Sequence, residues 1–201
     1  MKIRHINGEL PFVTIDNVFS KEELSRIFLE LDNITPYLNK PSETGASFNP
    51  STGAVRKNNK GIFLFEVYAD LKFSSIYNST RNFFNRDTVS QVKLCHPTYS
   101  VFKNINLDHI LISYYENGGY YLPHDDSSYF TILTWLYKEP KNFTGGDLIF
   151  PEYNITVPVR NNAGVIFNSG YLHEVTKVNI IDPSLINTGR YTITNFCFIR
   201  N

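Results

Sequence analysis

The spacing of apolar and polar positions divides the chain into two stretches of different character. From Ser20 onward, "SKEELSRIFLELDNI" sets Leu24, Ile27, Phe28 and Leu31 at helical spacing. Ser20 with Glu23 three residues later is a capping-box signature, and Phe19 with Leu24 is placed for a hydrophobic staple. This predicts a scaffold helix, preceded by a weakly alternating strand in "PFVTIDNVF". Residues 40–61 are rich in Gly, Pro, Ser, Thr and Asn and predict one long loop, of the kind that is either disordered or a functional lid. We expect it to fold over a substrate. "IFLFEVYADL" then shows no clean period, and Phe73, Ile76, Tyr77, Thr80 and Phe84 are spaced as on one helix.

Beyond residue 100 the pattern changes. "HILISYY", "YFTILTWLY", "GDLIF", "NITVPV", "GVIFNS" and "RYTITNFCFI" are short runs of β-branched and aromatic residues, separated by the turn signals "NGG", "TGG" and "NNAG". Many short strands joined by turns predict a sandwich or barrel. A single domain over residues 1–201 is expected, with residues 1–100 as a helical and strand flank and residues 101–201 as a β core.

Composition narrows the function classes. With 201 residues, 42% hydrophobic and 19% charged, the chain is long enough for one sizeable core. Nineteen Lys+Arg balance nineteen Asp+Glu and no basic block stands out, so neither nucleic acid nor an anionic membrane is an expected partner. "MKIRHINGELPF" lacks the apolar region of a signal peptide, and no apolar run reaches membrane-spanning length. Cys95 and Cys197 are too few for a disulfide framework and suit a reducing compartment. A cytoplasmic protein is therefore expected, its oligomeric state left open.

The candidate chemistry starts in "GGYYLPHDDSSYF". His124 and Asp126 are two apart, which on extended backbone puts both side chains on one face and Asp125 on the other. Such a pair alone is weak, because buried charges are costly and are usually just hydrogen-bonded. His173 in "VIFNSGYLHEV" can be brought beside it by antiparallel pairing. Two imidazoles and a carboxylate suit a non-haem Fe(II) site with open positions, or zinc with a bound water. Arg190 and Thr192 in "GRYTITNF" share a face of the last strand. A guanidinium pointing into a β core needs an anion such as a dicarboxylate cosubstrate, unless it reaches solvent at the strand's edge.

"YYENGGYYLPHDD", "FTGGDLIF", "GVIFNSGYLHEV" and "GRYTITNF", in that order, resemble the core of the 2-oxoglutarate- and Fe(II)-dependent oxygenases, in particular the prolyl 4-hydroxylase-like branch. The resemblance covers about residues 110 to 201. It implies an α+β, mainly β fold: a double-stranded β-helix (jelly-roll) core flanked by N-terminal helices. It also implies His124, Asp126 and His173 as iron ligands, and Arg190 with Thr192 on the far carboxylate of 2-oxoglutarate. Tyr115 would line the cosubstrate pocket, with Thr131 and Trp135 weaker candidates and Trp135 core by default. Implied reactants are Fe(II), 2-oxoglutarate and O2, with ascorbate (vitamin C) as reductant. The implied reaction is hydroxylation of a C–H bond, most readily of a prolyl residue in a peptide or protein; sibling branches act on free amino acids or other small molecules. A cupin-like zinc hydrolase or isomerase and a non-catalytic binding barrel are the rival readings. One departure is that Arg190 follows His173 by seventeen positions, further than the family's usual spacing, with "IIDPSLINT" between them. An enlarged turn accounts for this, and Lys177 is the competing cation.

Overall fold

The computed structural model describes residues 1–44, 48–49 and 51–200. The chain opens with β1 (Lys2–Ile6), β2 (Phe12–Asp16) and the helix α1 (Lys21–Ile34). After β3 (Lys60–Phe63) come the short helices α2 (Leu64–Val67), α3 (Ser75–Thr80) and α4 (Arg86–Val92). The remaining strands are β4 (Leu107–Tyr115), β5 (Tyr121–His124), β6 (Phe130–Leu136), β7 (Phe143–Thr144), β8 (Leu148–Phe150), β9 (Ile155–Val157), β10 (Ala163–Asn168), β11 (His173–Val175), β12 (Asn179–Ile180) and β13 (Arg190–Phe198).

A seven-stranded sheet in the order β1-β2-β10-β6-β13-β4-β3 and a four-stranded sheet in the order β5-β11-β8-β9 form the walls of the jelly roll. The period-two alternation of the long strands explains why each sheet face has its own partner. On β6, Phe130, Ile132 and Leu136 join the apolar cluster beneath the helices, while Leu133 and Trp135 join a second cluster of jelly-roll side chains. On β13, Tyr191, Ile193 and Cys197 pack toward the helices. Arg190, Thr192, Thr194, Phe196 and Phe198 therefore share the opposite face, the wall of the main cavity.

Local chemistry fixes the helical layer. The capping box of α1 is formed: the Glu23 N–H donates to Ser20 Oγ at 3.2 Å and the Ser20 N–H to Glu23 Oε2 at 2.8 Å. The single helix expected from Phe73 to Arg86 is instead cut short: α3 covers Ser75–Thr80, and α4 begins only at Arg86. Ser74 Oγ caps α3 by accepting from the Tyr77 N–H, and Asn85 Oδ1 caps α4 by accepting from the Thr88 N–H. Two capping side chains outcompete an apolar period at this length, and Phe73 is left 81% exposed outside any α-helix. Arg81, between these helices, makes a bidentate pair with Asp108 of β4 at 2.8 and 2.6 Å, fastening the layer to the sheet.

Of the loop expected over residues 40–61, residues 45–47 and 50 lie outside the described residues. Its last two positions begin β3, which pairs with β4. Lys57 bridges to Tyr121, so the preceding segment also reaches the four-stranded sheet and closes one side of the jelly roll.

Glu30 of α1 is buried and accepts from Ser74 Oγ at 2.6 Å and from the Ile76 N–H at 3.0 Å, tying α1 to the start of α3. Hydrogen bonds to a charged group contribute about 1.5–3 kcal/mol each, so losing both in Glu30→Ala should destabilise the fold by about 3–6 kcal/mol. Phe73→Ala should change stability by less than about 0.5 kcal/mol. Urea unfolding of both variants checks the pair, and equal losses would contradict this packing.

Candidate metal and anion site

His173 and His124 stand directly opposite each other in the antiparallel pair of β11 and β5. Asp126 lies just past β5, where its N–H donates to Ser169 O at 2.9 Å and turns the carboxylate back toward the histidines. The three side chains offer ligand atoms that all lie within 4.8 Å of one another. His124 Nε2 is 3.9 Å from Asp126 Oδ1, and His173 Nε2 is 3.5 Å from Oδ2.

Both imidazoles are oriented in the same way. Nδ1 of His124 lies 2.9 Å from Leu122 O, and Nδ1 of His173 lies 2.9 Å from Tyr171 O. An Nδ1–H donating to a carbonyl leaves the lone pair on Nε2, aimed at Asp126. Burial, assisted by His173, lowers the His124 pKa to about 3, so that ring is neutral in ordinary buffers. Ring contacts hold the geometry: Tyr121 stacks on His124 at 3.5 Å between centroids, and Phe167 meets His173 edge-on at 4.8 Å.

Asp126 is held by hydroxyls. Thr131 Oγ1 donates to Oδ2 at 2.6 Å, with Ser169 Oγ 2.9 Å behind Thr131 and Ser128 Oγ 2.7 Å behind Ser169. One proton per hydroxyl gives the inner part of the chain a direction, from Ser169 through Thr131 to the carboxylate, while the Ser128 hydroxyl also has Phe130 O as an acceptor at 3.2 Å. With one lone pair of Oδ2 already engaged, Oδ1 is the freer oxygen for a metal. Burial raises the Asp126 pKa, against the pull of His173 and Thr131, so a cation at this point would offset a real desolvation cost.

The triad opens into a cavity of about 370 Å³ that follows the inner face of β13. At one end Arg190 is 0% exposed and lies over the Tyr115 ring, 4.7 Å from its centroid. Tyr115 and Asp147 favour its charge, but burial opposes it more strongly. No atom of the described residues completes a hydrogen bond to Nε, Nη1 or Nη2, and Thr192 Oγ1 beside them is also without a partner. Buried guanidinium nitrogens left unpaired are rare, and a carboxylate is the group that fits their fork.

The structure thus brings together every predicted site residue: His124, Asp126, His173, Arg190, Thr192 and Tyr115 all line this cavity. Lys177 is exposed and does not line it. The turn before β13 is stapled by Asn142, which donates to Asp182 O and Thr188 Oγ1 and accepts from the Asp182 N–H. That is why Arg190 can follow His173 so distantly. Asp125 is exposed at the cavity mouth, outside the ligand cluster. Sequence reasoning missed Tyr121 and the hydroxyls of Ser128 and Ser169. Lys57, which the sequence reads as a solvated loop residue or a substrate contact beside Arg56, is buried in the cavity wall, lies over Tyr121 and has its pKa lowered to about 8 by burial. Residues 57–59 read Lys-Asn-Asn, so no apolar alternation in the sequence marked this wall.

Gly146 makes room for the guanidinium arm. It adopts φ +77°, and a Cβ there would stand 2.8 Å from Arg190 Cδ. Gly53, at φ +67°, has nothing within 4 Å of such a Cβ. Gly53→Ala should cost about 1 kcal/mol from backbone strain alone. Gly146→Ala should cost about 1–3 kcal/mol more, because the clash is added. Denaturant unfolding measures both, and equal losses would mean that Arg190 moves aside freely.

The site can be set against known proteins. Residues 110–198 match the family model described as the 2OG-Fe(II) oxygenase superfamily. No curated protein matches the chain in sequence. Among solved structures, a Pseudomonas putida prolyl-4-hydroxylase is similar at TM-score 0.60 and 16% identity, over 96% of this chain and 95% of that one. A Trichoplax adhaerens prolyl hydroxylase, solved with a hypoxia inducible factor oxygen degradation domain peptide fragment, gives 0.62 and 14%, over 94% and 83%. A non-heme alpha ketoglutarate dependent epimerase from nogalamycin biosynthesis gives 0.55 and 11%, over 92% and 74%. These likenesses establish the jelly-roll fold, and the family match coincides with the strands that carry the triad and Arg190. Residues 110–198, the stretch that carries the triad and Arg190, thus match the 2OG-Fe(II) oxygenase superfamily.

Proposed function

We propose that His124, Asp126 and His173 hold the Fe(II), that Arg190 and Thr192 bind the distal carboxylate of 2-oxoglutarate, and that the enzyme hydroxylates a prolyl residue in a peptide or protein. The observation that carries the assignment is the buried, unpartnered guanidinium of Arg190 in the same cavity as the triad. When bound, iron with 2-oxoglutarate and O2 supplies the oxidation, in which 2-oxoglutarate, O2 and a C–H bond become succinate, CO2 and C–OH.

The residues of this chain orient and enclose. The Nδ1 contacts fix both imidazoles with Nε2 toward the metal position, and Thr131 engages one carboxylate oxygen so that Asp126 binds through the other. Three protein ligands leave positions open for a chelating cosubstrate and O2. Tyr115 provides the platform beneath Arg190. Phe150 and Phe167 flank His173 and keep water from that side.

A peptide is favoured over a free amino acid by the surface at the mouth. The wall residues Phe63 and His109 contact Phe65, which is 52% exposed, so the apolar lining continues outward beyond the reach of a single amino acid. The peptide in the Trichoplax structure and the prolyl hydroxylase likenesses support the same choice. Cys95 and Cys197 are free and buried, which suits a reducing, cytoplasmic setting.

The test is incubation of prolyl-containing peptides with the protein, Fe(II), 2-oxoglutarate and ascorbate. Peptide mass and succinate are measured together. One added oxygen per succinate is expected. Oxygen added to free proline but to no peptide would replace the substrate assignment. Asp126→Ala should abolish iron binding and succinate formation, whereas Asp125→Ala should largely spare both; equal loss in the two would contradict the ligand set.

A further inference from the structure

Of the acidic and basic side chains that line the cavity, histidines apart, Asp126 is assigned to the metal and Arg190 to the cosubstrate, which leaves Asp125 and Lys57. Asp125 is exposed, so water accounts for its charge. Lys57 is 4% exposed, an uncommon place for a lysine. Its backbone is locked: the Leu122 N–H donates to Arg56 O at 2.8 Å, the Asn58 N–H to Tyr120 O at 2.9 Å and the Tyr120 N–H to Asn58 O at 3.3 Å. Residues 56–58 thus run as an extra edge strand along β5, with Lys57 opposite Tyr121. The alternation of a strand turns Lys57 inward to the cavity and Asn58 outward to solvent. Lys57 Nζ lies 5.4 Å from the centroid of the Tyr121 ring, and that ring stacks on His124 at 3.5 Å. A positive charge therefore stands one ring away from a metal ligand.

A ring face attracts an ammonium without neutralising it. Burial lowers the Lys57 pKa only to about 8, so the side chain is still an ammonium at neutral pH. With Fe(II) and the 2-oxoglutarate dianion in place, their charges cancel against Asp126 and Arg190, so the buried lining of the loaded cavity carries the charge of Lys57. A buried charge is costly, and an opposite charge brought by the substrate offsets that cost. We infer that Lys57 is a specificity-determining residue that binds a carboxylate of the substrate, and that the preferred peptide carries Asp or Glu within two residues of the hydroxylated proline. An extended peptide advances about 3.4 Å per residue, so one or two residues span the breadth of the aromatic ring that separates Lys57 from the metal ligands. The inference rests on the prolyl-peptide reading above and adds the sign of the charge that this peptide carries.

The test uses the full chain and peptides of one sequence around a central proline, with Glu, Gln or Lys at the flanking positions. Binding is measured without turnover by titration calorimetry on the protein loaded with Mn(II) and 2-oxoglutarate, and kcat/KM is measured with Fe(II) by peptide mass. The wild type should prefer the Glu peptide to the Lys peptide by about tenfold or more in both, the scale of a hydrogen bond between charged groups, and this comparison needs no variant to fold. Lys57→Met should erase the preference and Lys57→Glu should reverse it. Each ratio is taken within one protein, so a smaller folded fraction cancels. Equal use of the three peptides by the wild type, or an unchanged preference in Lys57→Glu, would overturn the inference while leaving the prolyl reading standing. Hydroxylation of none of the peptides would overturn that reading and this inference with it.

Discussion

A guanidinium sealed inside a β core with no hydrogen-bond partner among the described residues is the constraint around which this cavity is organised. Arg190 is fully buried, and burial pushes its pKa down from the ordinary arginine value. The surroundings hold it in place without neutralising it. Tyr115 lies beneath it, Asp147 favours its charge, and Gly146 leaves space for the arm. A fold selected for stability alone would fill this position with an apolar side chain of similar volume, because a buried charge loses more hydration than such contacts return. Keeping the charge makes sense when a ligand supplies the missing carboxylate.

The metal position shows the same logic with the opposite sign. Asp126 is a carboxylate whose burial favours its protonated form, and His124 is a ring held neutral by burial. Neither arrangement favours the free protein, and both suit a divalent cation, which needs neutral imidazoles and an ionised carboxylate. The cavity thus carries an anion-seeking end and a cation-seeking centre along one strand face, which matches a cosubstrate with an anionic end and a chelating end. The rival readings, a zinc hydrolase and a silent barrel, offer no use for the anion-seeking end.

Much of this was legible in the sequence where one short segment carries its own physics. Ser20 and Glu23 mark the start of α1 through a local capping box, and the period of two along "RYTITNF" places Arg190 and Thr192 on one face whatever the rest of the chain does. Pairing between distant segments was legible only as an expectation, and the β5–β11 register realised it for His124 and His173. The reading failed where local signals competed or where the partner was remote. The apolar period from Phe73 to Phe84 yielded only the short α3, begun at the Ser74 cap, while α4 starts beyond it at the Asn85 cap. β1 could not be seen because its residues are largely exposed and it exists through pairing with β2. Tyr121 and Lys57 read as loop or strand filler, since only closure of the jelly roll places them against His124 and the cavity.

Whether the charge at position 190 is held for a ligand at the expense of the free fold can be measured directly by thermal unfolding of wild type and Arg190→Met, each Mn(II)-loaded, with and without 2-oxoglutarate. Without the cosubstrate, Arg190→Met should be as stable as the wild type or more so, since an unpaired buried charge has been removed. With 2-oxoglutarate at about one hundred times its dissociation constant, the wild type should gain about 2.7 kcal/mol and the variant little. A variant clearly less stable than the wild type without 2-oxoglutarate, or a gain equal in both proteins, would contradict the assignment of Arg190 as the waiting partner of a carboxylate.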